Sequence, residues 1–236
     1  MGTLYLIPTP IGENDVDHVI PQYNYGIIGK LRCFVIEEIR TARRFLRKID
    51  QLFPIDDCSF FELNEHVVNN FDYSKVLHLL KDGNDVGLMS EAGLPCIADP
   101  GYTLVLAAQQ QHIHVVPLVG PSSLMMALMA SGLCGQNFVF HGYLPADKIS
   151  LAEKIKNIEL PAIKYNQTQI FIEAPYRNMQ LFEALLKYCH PQTYLCVACQ
   201  ISQPDQFIKT MTIENWKRAK TINIHKKPTV FLLGIN

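Results

Sequence analysis

The stretch Ser90-Glu91-Ala92-Gly93-Leu94-Pro95-Cys96-Ile97-Ala98-Asp99-Pro100-Gly101 decides how this chain is read. It follows Val86-Gly87-Leu88-Met89, a short apolar run of the kind that forms a buried strand. A helical pattern over 102–111 comes next, with Leu104, Val105, Ala107 and Ala108 on its apolar side. Residues 90–101 therefore read as a loop leaving the C-terminal edge of a strand, which is where an open parallel sheet binds its ligands. The loop carries two glycines, two prolines, two carboxylates and almost no bulky side chain. Glycine permits close approach to the backbone and proline fixes the loop's shape. The composition suits a site built from main-chain groups, and it also suits an ordinary strand-to-helix loop.

Working outward, short apolar runs alternate with helical patterns along the whole chain. Strands are expected at 4–7, 34–36, 60–63, 86–89, 114–119, 138–141, 169–172, 194–201, 208–211 and 229–233. Helices are expected at 39–52, 73–81, 102–111, 124–130, 149–158 and 178–188, with a short one around Trp216. Residues 13–29, rich in tyrosine and glycine, have no clear period. The alternation predicts an α/β fold. The series restarts after Val119-Gly120, so two domains are expected, 1–119 and 120–236.

The chain has 236 residues, 48% of them hydrophobic and 18% charged, which is a globular composition, and its net charge of −1 gives no global basic field for nucleic acid. The seven cysteines are scattered and odd in number, as expected of free thiols in a reducing compartment. Cys196 and Cys199 have C-x-x-C spacing but fall in an expected strand, where side chains three apart point to opposite faces. No metal is expected. The start of the chain has no signal-peptide pattern, and the most apolar stretch, 122–133, is too short to span a bilayer. The expectation is a cytoplasmic protein with no membrane partner.

Arg40, Arg43, Arg44 and Arg47 fall at i, i+3, i+4 and i+7, one face of a helix. That face reads either as a solvated surface or as a phosphate-contact stripe. Glu38, Glu65 and Glu91 stand at the same expected sheet edge as the 90–101 loop, each suited to act as a base or to cap a helix. A glycine turn opening a helix, Gly120-Pro121-Ser122-Ser123, can hold an anion or a cofactor carboxylate.

Taken in order, these loops resemble one family. Thr9-Pro10-Ile11-Gly12, Glu37-Glu38-Ile39-Arg40, Asn64-Glu65, the 90–101 loop, Gly120-Pro121-Ser122-Ser123, Gly142-Tyr143-Leu144-Pro145 and Glu173-Ala174-Pro175-Tyr176-Arg177 resemble the tetrapyrrole-methylase superfamily over residues 3 to about 200. Within it the similarity is greatest to methylases of a cytidine ribose 2′-oxygen in small-subunit ribosomal RNA. The resemblance implies two α/β domains with mostly parallel sheets, S-adenosylmethionine in the cleft between them, and a homodimer. It implies cofactor contacts at Pro8, Pro10, Ala92, Gly93, Leu94, Pro95, Ile97, Ala98, Ser122 and Ser123, and in the second domain at Pro228 and Thr229. Glu38, Arg40 and Glu91 are the candidate catalytic residues, and Arg43, Arg44 and Arg47 the candidate RNA contacts. The partner implied is ribosomal RNA or the small ribosomal subunit. Methylation of a tetrapyrrole or another small molecule is the alternative, and a catalytically inactive cofactor- and RNA-binding protein is a third reading.

The chain departs from the family pattern at several of these positions. Glu13 stands where the family has Asn, Glu38-Ile39 where it has Asp-Thr, Glu91 where it has Asp, and Leu94 where it has Thr. Ala174-Pro175-Tyr176 replaces Ser-Pro-His. Ala198-Cys199-Gln200-Ile201-Ser202 replaces an Ala-Arg-Glu-Leu-Thr-like run and removes a charge pair.

Overall fold

A computed structural model describes residues 1–12, 16–219 and 222–235. Glu13 lies outside the described residues. The chain forms two compact units, 1–122 and 123–236, which divides it three residues beyond the expected junction.

The first unit runs β1 (Thr3–Ile7), α1 (Val16–Val19), α2 (Gln22–Ile28), β2 (Cys33–Ile36), α3 (Ile39–Ile49), β3 (Ser59–Glu62), α4 (Tyr73–Lys81), β4 (Val86–Met89), α5 (Tyr102–Gln110) and β5 (His114–Pro117). Its five strands form one sheet in the order β3-β2-β4-β1-β5, and every pair is parallel. Helices cover both faces, so the strands read as unbroken apolar runs rather than as alternating ones. Phe34, Ile36 and Met89 pack on one face with Ala42, Phe45 and Leu46 of α3. Val35, Val86 and Leu88 pack on the other with Val76, Leu77 and Leu80 of α4 and with Leu104 and Ala108 of α5. Gly87 has no room for a side chain, because a Cβ there would lie 2.5 Å from Ile7 Cδ1. A parallel sheet places all its strand ends alike, so the loops after β1, β2, β4 and β5 share one edge.

The stretch without a clear period becomes α1 and α2 in its described part. Pro21 stands at the start of α2, and Gly26 and Asn24 are weak helix formers. Tertiary anchoring holds the helix: Asn24 is buried and its side-chain amide donates to the Val119 carbonyl at 2.8 Å, while Ile28 is fully buried.

The second unit contains α6 (Ser123–Ser131), β6 (Phe138–Tyr143), α7 (Lys148–Tyr165), β7 (Thr168–Ile172), α8 (Asn178–Tyr188), β8 (Tyr194–Cys199), β9 (Phe207–Thr212), α9 (Ile213–Arg218) and β10 (Thr229–Gly234). The strand order is β6-β7-β10-β8-β9. Only β6–β7 is parallel here; β7–β10, β10–β8 and β8–β9 are antiparallel. The α/β class with predominantly parallel pairing holds over both sheets together, and the second sheet is mixed. Antiparallel pairing follows where strands are joined without a helical crossover, as between β8 and β9. Layers form on both faces. Leu124, Ala127 and Leu128 of α6 meet Ile170, Cys196 and Val230 on one side. Ile155, Phe182 and Trp216 meet Phe171, Val197 and Phe231 on the other. Cys196 and Cys199 fall in opposite layers, as the strand period requires.

Strand β8 stops at Cys199 rather than at 201, because Gln200 and Ser202 turn left-handed at φ 54° and 64°. Helix α7 runs well past 158 and through Pro161. Proline removes one helical hydrogen bond, and burial of Ile158 and Ala162 offsets that loss. No helix among the described residues is long and apolar enough to cross a membrane.

Phe231 is fully buried and stacks on Phe171 of the adjacent strand, ring centroids 5.9 Å apart. Phe231→Ala is expected to destabilise the second unit by about 3–5 kcal/mol. Urea unfolding followed by the fluorescence of Trp216, the sole tryptophan, measures it directly.

Candidate active site

The 90–101 loop leaves β4 and is joined to the turn after β1 by two backbone bonds. Thr9 N–H donates to Gly93 C=O at 2.9 Å, and Gly93 N–H donates to Thr9 C=O at 3.1 Å. Side chains reinforce the junction: Thr9 Oγ1 donates to the Ser90 carbonyl at 3.2 Å and Ser90 Oγ to the Gly93 carbonyl at 2.9 Å. Gly93 is left-handed at φ 79°, and a Cβ there would come to 3.4 Å from Pro121 O. Gly120 packs directly on Pro8, where a Cβ would lie 2.2 Å from the ring. Three of the loops expected at one edge, those after β1, β4 and β5, are thus in contact within the first unit.

Asp99 sets the far half of the loop. Its carboxylate accepts from the amides of Cys96 and Gly101, both at 2.8 Å. Burial pushes the Asp99 carboxyl above its ordinary range against those two bonds. Between them, Cys96 and Ala98 adopt left-handed backbone at φ 68° and 64°. Such strain in residues with side chains persists only where the surroundings impose it, and it concentrates at ligand-binding segments. Pro95 and Gly93 are buried, while Ala92, Ile97 and Ala98 are exposed. Ile97 presents an exposed apolar side chain beside strained backbone, a combination suited to a flat apolar ring and polar groups read by main chain. Burial and Asp99 push the Cys96 thiol up to about 12, which leaves it protonated and inert.

An open cleft of about 360 Å³ adjoins this junction. Thr9, Pro10, Glu37, Thr41, Arg44, Lys48, Ser90 and Glu91 are among the residues lining it. Glu37, the last residue before Glu38, is the most perturbed acid of the group. Burial, with Asp99, Glu91 and Glu65 nearby, raises its carboxyl to about 7, even though its Oε1 accepts the Glu91 amide at 3.0 Å. Burial also raises the Glu91 carboxyl.

The expected catalytic residues take different places, although the Glu38 backbone and its charge act on the Glu91 carboxylate. Glu91 lines the cleft. Glu38 and Arg40 do not. Glu38 caps α3: its carboxylate accepts from the amides of Arg40 and Thr41 at 2.9 and 2.8 Å and from Thr41 Oγ1 at 2.9 Å. Those bonds hold its carboxyl below the ordinary range. A depressed carboxylate with its oxygens occupied is a poor proton acceptor, whereas Glu37 is poised near neutrality. Adjacent glutamates are equivalent in sequence, and only burial and capping tell them apart. The arginine stripe is exposed, as expected, but divided. Arg44 lines the cleft. The Arg43 guanidinium sits 5.5 Å from the Phe60 ring centre, and Arg47 donates to the Gln51 carbonyl at 2.6 Å. Lys48, one turn beyond Arg44, also lines the cleft and was outside the arginine pattern.

Of the remaining expected cofactor contacts, Pro8 supports Gly120, and Ser122 ends the first unit where Ser123 opens α6. In the second unit the Pro228 carbonyl accepts from Gln200 N–H at 2.9 Å and Thr229 begins β10. The Glu173-to-Arg177 motif holds the segment before it. Lys226 N–H donates to the Pro175 carbonyl at 2.9 Å, and the Asn178 side-chain amide donates to the Lys227 carbonyl at 2.6 Å. Glu173 is buried and paired with Arg177 at 3.1 Å.

The state of Glu37 makes stability depend on pH. The folded chain holds this proton more tightly than the unfolded chain, whose glutamate titrates near 4.5. The contribution is present below pH 4.5 and is lost as pH rises to about 7. The parent's resistance to chemical unfolding should fall across that window, and Glu37→Gln should flatten the dependence.

The family model for Tetrapyrrole (Corrin/Porphyrin) Methylases matches residues 25–216. Ribosomal RNA small subunit methyltransferase I of Haemophilus influenzae is 31% identical over 91% of this chain and 71% of its own length. The protein of that name from Vibrio cholerae is 34% identical over 89% of this chain and 68% of its own length. Among solved structures, the methyltransferase CobJ superposes with a TM-score of 0.64 at 15% identity, covering 100% of this chain and 95% of that one. Diphthine synthase gives 0.64 at 12% identity, over 99% of this chain and 90% of that one. The loops at the edge of the parallel sheet, the match over most of the chain and these likenesses agree: the chain belongs to the tetrapyrrole methylase family of methyltransferases.

Proposed function

We propose that this protein is an S-adenosylmethionine-dependent methyltransferase that methylates a ribose 2′-oxygen, that of a cytidine, in small-subunit ribosomal RNA. The similarity to enzymes named for that RNA supports the substrate. The same resemblance supports a homodimer and a cytoplasmic location. The observation that carries the chemistry is Glu37, a half-buried carboxylate near neutrality in a cleft beside the strained 90–101 loop.

The residues present fit the cofactor. Gly93 and the left-handed Cys96 and Ala98 shape a backbone rim, Ile97 offers an apolar surface, and Glu37, Glu91 and Asp99 give the region negative charge that complements a sulfonium cation. Pro10, Ala92, Ile97 and Ala98 would hold it in the first unit, and Leu94, Pro95 and Gly93 would support them. When bound, S-adenosylmethionine supplies an electrophilic methyl group on sulfur.

The chain's own task is then to align and activate the acceptor. A ribose hydroxyl is a weak nucleophile and needs a base. The Glu91 amide is the only donor to the Glu37 carboxylate among the described residues. Glu37 Oε2 is therefore left for the proton that the hydroxyl gives up as its oxygen forms the new bond to carbon. Glu91 raises the basicity of Glu37 by its charge and holds it in place by its amide. Thr9 and Ser90 fix the floor of the cleft.

Transfer of radiolabelled methyl to small ribosomal subunits tests the proposal, with the product mapped as a single alkali-resistant ribose linkage. The rate should rise with pH through about 7. Glu37→Gln should lower kcat by about 10²–10⁴ and remove the rise. Gly93→Val, which forces a branched side chain into left-handed backbone, should lower cofactor affinity at least about tenfold in calorimetry. Label entering a tetrapyrrole and not RNA would overturn the substrate assignment.

A further inference from the structure

Helix α3 is capped at one end by Glu38 and carries six exposed or half-exposed polar side chains along its outer surface. Its cations have different surroundings. Arg43 lies against Phe60 and Arg47 bonds the Gln51 carbonyl. Arg44 and Lys48 are at i and i+4, so they stand on one face, and both line the cleft that holds Glu37 and Glu91. Neither forms an ion pair with a described residue. The charges acting on Glu37 are all acidic, those of Asp99, Glu91 and Glu65, so the two cations are not spent on neutralising the base. A cleft lined by a carboxylate and by two cations that pair with no described residue is suited to a ligand with a neutral reacting group next to an anion. A nucleotide in RNA has that form, with its 2′-hydroxyl on the carbon next to the one whose oxygen bears the 3′-phosphate.

We propose that Arg44 and Lys48 form a phosphate clamp at the acceptor cleft, gripping the backbone phosphate beside the ribose to be methylated and so presenting its hydroxyl to Glu37. This rests on the RNA reading above and adds which residues position the strand. Phosphate contacts fix register without reading sequence, so the clamp serves any base at that point, and the choice of nucleotide lies elsewhere. Arg44 and Lys48 are positioning residues. They act on binding and alignment, and the proton goes to Glu37.

The test uses the whole protein, a ribosomal RNA fragment containing the methylated site, and three variants. Arg44→Gln/Lys48→Gln should raise KM for the fragment about tenfold or more, should lower kcat through lost alignment far less than Glu37→Gln does, and should make the log–log dependence of affinity on salt shallower by about 1.4–1.8, two contacts' worth. Calorimetric affinity for S-adenosylmethionine should stay at the parent value, which also shows the variant is folded. Lys75→Gln/Lys81→Gln, on α4 across the sheet from α3, should change neither KM nor the slope. If Arg43→Gln/Arg47→Gln costs as much as the cleft pair, the contact is a diffuse basic face and the clamp is wrong. A parent that methylates RNA and a cleft-pair variant that matches it at every salt concentration overturn the clamp alone. A parent that transfers no methyl to RNA overturns the substrate reading and the clamp with it.

Discussion

Two backbone hydrogen bonds between Thr9 and Gly93 tie the ends of β1 and β4 together, and the rest of the site depends on that tie. Gly93 can make them because it adopts left-handed backbone. Leu94 and Pro95 then turn the chain away, and Asp99, buried and bonded to the Cys96 and Gly101 amides, closes the loop on itself. Gly120 seated on Pro8 brings the loop after β5 to the same place. A parallel sheet supplies the common edge, and these close approaches convert it into one rigid rim. The strain at Cys96 and Ala98 is sustained by bonds on either side of them.

Electrostatics follow from the same packing. Gathering Glu37, Glu91 and Asp99 at the sheet edge costs free energy, because burial disfavours the charged form of each and the charges of Asp99, Glu91 and Glu65 add to it at Glu37. The chain keeps one of them, Glu37, near the proton affinity a general base needs. Glu38, one residue on, is stabilised as an anion by the start of α3. The helix that Glu38 starts carries Arg44 and Lys48 into the cleft, so acid and cation reach one cavity from a single strand–helix turn.

Much of this was legible in the sequence. Runs such as Val86-Gly87-Leu88-Met89, bounded by turn residues, marked the buried strands, and helices 73–81 and 178–188 match α4 and α8 end to end. The meeting of the loops after β1, β4 and β5 followed from their glycines and prolines. Other features left no local signal. Helix α2 depends on the burial of Asn24 and Ile28, which propensity does not foretell. The direction of β8, β9 and β10 is set by their connections, and an apolar run looks alike in either direction. Glu37 and Glu38 differ in burial and in which one caps α3. Lys48 stands four residues from Arg44 but outside the arginine spacing. Which cations of α3 are held elsewhere is a property of Phe60 and Gln51 as much as of the helix: Arg43 and Arg47 are held there, and Arg44 and Lys48 line the cleft.

The rim made by Thr9, Gly93 and the strained residues after it is the proposed cofactor floor. Backbone amide NMR of the labelled protein, titrated with S-adenosylmethionine, tests it most directly. Saturable shifts concentrated at Thr9, Ala92, Gly93, Ile97 and Ala98 are expected, with those of α4 unmoved. Saturable binding that shifts other amides and leaves these five in place would contradict it.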